Sequence, residues 1–170
     1  MPLASSNRSE RIIKAFQAIA SQKDLAAKDY FYTYQKLDLE LKEGQEIYLY
    51  GMVIEIGKPQ GGYDLLTVYT NYCTDYIDYT GKAILWDRPD GNFDALIDDV
   101  LEAGKILLPN MPSWDDDYLQ PVAKDYMRIH LLSSQGMYSA EATFSEMATS
   151  PLGEEVVQAS DLLIRWLLNY

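Results

Sequence analysis

The side chains that could do chemistry are few. The chain has one histidine, His130, and one cysteine, Cys73. Ser133 and Ser134 follow His130, so a Ser–His nucleophile pair would have to be built there. All three would lie along or just after one strand, with no evident oxyanion donors, and a hydrogen-bonded structural histidine is the simpler expectation. Cys73 sits in an apolar and aromatic run, where a thiol is expected to be buried and inert. Carboxylates are plentiful. Asp75 and Asp78 lie among Tyr72, Tyr76 and Tyr79. A carboxylate mechanism would need two such acids in one cleft with their pKa values pushed apart. Solvated acids at a strand edge are the simpler reading.

The sharpest charged feature is Trp114-Asp115-Asp116-Asp117-Tyr118. In an extended loop Asp115 and Asp117 point to the same side. They supply too few oxygens for a full Mg²⁺ or Ca²⁺ shell. Rings beside a carboxylate cluster suit a Lys- or Arg-rich protein instead, through cation–π and ionic contacts. These five residues are the expected partner-binding set. The competing expectation is a solvated loop with Trp114 folded back onto the core.

The common nucleotide and metal motifs fail. Gly57-Lys58, Gly81-Lys82 and Gly104-Lys105 each lack the following Ser or Thr, and the earlier glycine, that a phosphate loop requires. No Gly-x-Gly-x-x-Gly fingerprint and no Gly-x-Ser-x-Gly elbow is present. A calcium loop with Gly91 at its sixth position would put Trp86 first and Ile97 twelfth, where carboxylates are needed. A lone Cys and a lone His exclude centres that need several of either. No metal and no cofactor is expected, and catalysis is the less favoured reading.

Charge narrows the partners. Lys and Arg number 14 against 26 Asp and Glu, a net charge of −12. Residues 1–45 hold 7 basic and 6 acidic side chains, whereas residues 46–170 hold 7 basic and 20 acidic, a balance of −13. Such a surface repels the nucleic-acid backbone and anionic lipid, and attracts basic proteins. No signal-like apolar run and no stretch near the ~20 apolar residues of a membrane span appears. The expectation is a cytoplasmic protein with a basic protein partner, no nucleic acid and no membrane.

The elements that must position these residues follow from periodicity. A chain of 170 residues with 48% hydrophobic and 24% charged side chains reads as one folded domain over 1–170. Residues 1–45 form a helical N-terminal segment, with helices expected over about 8–22 and 24–36. Residues 46–170 form the acidic body. Strands are expected over about 47–56 and 63–73, within 76–86 and over 125–132, with a short one at Ile106-Leu107-Leu108. Phe93, Leu96, Ile97, Val100 and Leu101 predict a central helix stopped by Gly104. Ser139 is expected to cap a short helix, and Ser150-Pro151 to open the last one. This pattern predicts an α+β fold with an antiparallel sheet flanked by N-terminal, central and C-terminal helices, a mixed sheet being the alternative.

The last helix bears on assembly. Leu162, Leu163, Ile164, Trp166, Leu167 and Leu168 surround Arg165. A helix so apolar threads the core or meets another subunit, and Leu163, Trp166 and Leu167 are the expected oligomer interface. The functional expectation is a non-enzymatic acidic protein that docks on or occludes a basic surface, as an inhibitor, immunity protein or nucleic-acid mimic does. The alternatives are a small carboxylate- or metal-dependent enzyme, or a subunit of a larger assembly docking through its C-terminal helix.

Overall fold

The computed structural model describes residues 47–114 and 121–170. The helices expected over 8–22 and 24–36, and residues Asp115, Asp116, Asp117 and Tyr118 of the acidic loop, lie outside the described residues. The fold is α+β. Six strands, β1 (Leu49–Gly57), β2 (Tyr63–Tyr69), β3 (Thr74–Ile77), β4 (Ala83–Trp86), β5 (Tyr126–Ser133) and β6 (Gly136–Thr143), form one sheet in the order β4-β3-β2-β1-β5-β6. Every pairing is antiparallel. Among the described residues three α-helices accompany the sheet: α1 (Asp94–Leu107), α2 (Phe144–Thr149) and α3 (Gly153–Asn169).

Alternation assigns the two faces of the sheet. Met52, Ile54, Leu66, Val68, Met127, Ile129 and Leu131 point to one face. There they meet Ile97, Val100, Leu101 and Leu107 of α1 and Val156, Leu163 and Leu167 of α3. The other face carries Glu55, Thr67, Asp75, Arg128, His130 and Ser139, all buried. The helices run antiparallel, since Asn92 before α1 donates to the hydroxyl of Tyr170 after α3 at 3.0 Å. Trp86, Phe93 and Tyr170 pack edge to face around that junction.

Four local expectations are corrected. Gly104 does not stop the central helix, which continues to Leu107. A Cβ at Gly104 would run into Met52 Sδ, so the glycine lets helix and sheet approach closely. Ile106-Leu107-Leu108 is accordingly the last helical turn and the start of a 3₁₀ turn, not a strand. Ser139 lies inside β6, and the short helix is capped instead by Thr143, whose hydroxyl accepts from Glu146 N while Glu146 accepts from Thr143 N. The last helix opens at Gly153, with Ser150 Oγ accepting from Gly153 N at 2.8 Å.

Candidate functional site

The lone histidine belongs to a row of polar side chains laid across three adjacent strands. Register places His130 of β5 between Val53 of β1 and Ser139 of β6, and Arg128 between Glu55 and Glu141. His130 Nε2 lies 3.1 Å from Glu55 Oε2, and His130 Nδ1 lies 2.5 Å from Ser139 Oγ. Arg128 reaches Glu55 Oε2 with one terminal nitrogen at 3.3 Å, while its Nε and other terminal nitrogen both meet Glu141 Oε2 at 2.7 Å. Burial pushes the Glu55 carboxyl up, but His130 and Arg128 together outweigh that and hold it below the usual glutamate value. An ionised Glu55 only accepts, so the ring proton sits on Nε2. Ser139 Oγ meets the other ring nitrogen, Nδ1.

An acid, an imidazole and a hydroxyl in line are the parts of an activated nucleophile. Here they are sealed: His130 is 0% exposed and Ser139 7%. The row ties β1, β5 and β6 together by charge-assisted hydrogen bonds. The serine that meets His130 is Ser139, across the ladder, not Ser133 or Ser134. Ser133 Oγ donates to Gly136 O, and Ser134 Oγ accepts from Tyr48 N.

Asp75 and Asp78 do not converge. Asp75 is buried beside Thr67, and burial, with Asp87 nearby, pushes its carboxyl up to about 6. Asp78 sits in the β3–β4 turn, where Oδ1 accepts from Thr80 N and Lys82 N. Cys73 is buried and unoxidised, with Sγ 3.7 Å from Asp87 O. Asp64 is also buried, accepting from Lys58 Nζ, Tyr76 Oη and Tyr79 N at 2.8–3.0 Å. Among the described residues no three His, Cys, Asp or Glu side chains gather to hold a metal ion.

Trp114 is half-buried, with its ring edge-on to His130 at 6.1 Å between centroids. Its indole nitrogen is buried without a hydrogen-bond partner among the described residues. The ring thus abuts the sealed row. Of the expected oligomer interface, Leu163 and Leu167 point into the chain's own core against α1 and the sheet, while Trp166 stays 57% exposed. Of the three, Trp166 alone stays exposed.

The second region is the outer side of the helical layer. Asp98, Asp99 and Glu102 of α1 and Glu154, Glu155 and Asp161 of α3 are exposed. Against them stand Lys105, paired with Glu102, and Arg165, paired with Asp161 at 2.8 Å. Asp99 and Glu155 have no ion-pair partner among the described residues. Between the helices runs an open groove of about 390 Å³, and Leu162 links it to a second hollow of about 270 Å³ beside Trp166. No described helix is long and apolar enough to cross a membrane.

Sequence reasoning missed Glu55, Arg128 and Glu141 as partners of His130. Its usable signal was parity: Arg128 and His130 share one strand face, and Glu55 is a lone charge inside a β-branched run. Comparison with known proteins adds no family: no protein-family model, curated protein or solved structure matches the chain.

Proposed function

We propose that the chain is an acidic binding protein that works by docking on a basic protein surface rather than by turnover. The observation that carries this reading is the outer face of α1 and α3, where carboxylates outnumber cations and apolar side chains remain exposed. Acids that serve only the fold are paired, as Glu55 and Asp64 are. Asp99 and Glu155 have no ion-pair partner among the described residues, and their field attracts a positively charged partner and speeds its encounter. The sealed row around His130 supports the same reading, because its hydroxyl and imidazole are spent on holding strands.

The test compares wild type with the Asp99→Asn/Glu102→Gln/Glu155→Gln variant in capture from source cells at low and high salt. A basic partner, identified by mass spectrometry, should be retained by wild type at low salt, released at high salt and lost by the variant. Capture that is indifferent both to salt and to the variant would overturn the reading.

A further inference from the structure

We infer that the groove between α1 and α3 is a seat for an amphipathic helix of a partner protein, one with an apolar stripe flanked by Lys and Arg. The inference rests on the acidic-docking reading above and names the shape of the partner. The floor comes first. Ala103 and Ile106 of α1 line it opposite Ala159 and Leu162 of α3. Ile106 is 52% exposed and Leu162 44%. Neither belongs to the core stripe, which takes Val100, Leu107, Val156 and Leu163 instead. The two alanines leave room between the helices for an inserted side chain.

The walls set the polarity. Asp99 and Glu102 stand on the α1 side and Glu155 on the α3 side, with Gln158 between. On each helix the lining follows one stripe: Asp99, Glu102, Ala103 and Ile106, and Glu155, Gln158, Ala159 and Leu162, spaced i, i+3, i+4 and i+7. The α3 stripe continues through Leu162 into Arg165, Trp166 and Asn169. From Glu155 to Asn169 it spans ~21 Å, the length of a helix of about four turns. The acids wall only the first part of this track, where Asp99 and Glu102 stand across from Glu155, and Leu162, Arg165, Trp166 and Asn169 line the rest. Such a track fits a helix laid in a groove, with anchors every three or four residues and cations where it passes the acids.

A second copy of the chain is the poorer occupant. A two-fold contact on this face would set Asp99, Glu102 and Glu155 against the same residues of the partner copy, and like charges brought together across an interface disfavour it.

The probe is a synthetic 16-residue helix with leucines at i, i+4, i+7 and i+11 and lysines on the flanks, titrated against the full chain. Two controls accompany it: a scrambled peptide of the same composition, and one with Glu for Lys. The expected result is binding of the first peptide alone, weakened at least tenfold by Leu162→Ser, by Leu162→Lys and by raising salt from 50 to 500 mM. Leu162 is exposed, so both variants should fold, and thermal melts verify it. Equal binding of the scrambled peptide, or no loss in either Leu162 variant, overturns the groove while leaving the acidic-docking reading intact. Failure of every cationic peptide to bind overturns both. A self-associated chain whose dimer is lost in Leu162→Lys also overturns the proposal, in favour of a second copy.

Discussion

The buried polar face of the sheet and the outer face of the helical layer are both built from carboxylates, and they treat them in opposite ways. On the sheet, Glu55 meets Arg128 and His130, and Glu141 meets Arg128. On the helices, Asp99 and Glu155 are exposed and have no ion-pair partner among the described residues. Removing a charge from water is expensive, so a buried acid persists ionised only with partners and hydrogen bonds around it. An exposed acid carries no such requirement. Net charge therefore conflates two populations, one that holds the fold and one available to another molecule.

The largest effect expected from breaking this contrast is on the sheet. Glu55→Gln should destabilise the protein by about 3–5 kcal/mol at pH 7, because Arg128 and His130 lose their shared counter-charge in the interior. The sign with pH follows from its lowered pKa. Stability from Glu55 is fully present above the ordinary carboxylate value of 4.5 and is lost as pH falls through the lower folded value. Urea unfolding at pH 7 and pH 3 should thus show the gap between wild type and variant closing in acid. A cost below about 1 kcal/mol at pH 7 would mean that the row does not hold the strands.

The next test divides α3 along its length. Leu163→Ala should cost about 3 kcal/mol, since Leu163 is fully buried against α1 and the sheet. Trp166→Ala should stay within about 0.5 kcal/mol, as expected for an exposed side chain that the fold does not need. Thermal melts of the two variants settle the difference. A Trp166→Ala cost rivalling that of Leu163→Ala would show that the ring is covered in solution by a further copy.

The elements were legible where one physical signal dominated. Ile47 to Ile56 is β-branched and alternating, and Phe93 to Leu101 keeps helical spacing, so β1 and α1 could be placed from the chain alone. The errors arose where tertiary contact overrode a local cue. Gly104 carries the residue type of a helix stop, but its role is to make room for Met52 under a continuing helix. Ser139 resembles a cap, but its hydroxyl is taken by a histidine nine residues earlier across a hairpin. The partners of His130 were invisible for a similar reason. Glu55 and His130 come together only through the β1–β5 pairing, and no local pattern encodes which strands pair. The groove was half legible. The apolar excess of the last helix was plain, but which of its stripes faced inward depended on where α1 lay.

A third acid sharpens the contrast because it is buried with no cation paired to it among the described residues. Asp75 lies on the same sheet face as Glu55, yet it sits beside Thr67 and near the carboxylate of Asp87. Burial and that like charge raise its pKa to about 6, the opposite direction from Glu55. A raised carboxyl favours the folded state only while protonated. Its stabilising contribution is complete below the ordinary value of 3.8 and is lost as pH rises through about 6. Asp75→Asn keeps an oxygen to accept the hydrogen bonds and removes the charge. The variant should match wild type near pH 4 and exceed it by about 1 kcal/mol at pH 8, the full shift being reduced by solvent screening. Denaturant melts at the two pH values decide it. A variant weaker than wild type at pH 8 would show that a cation supports Asp75 after all. Asp75 would then join Glu55 and Asp64 as a buried acid held by a cation.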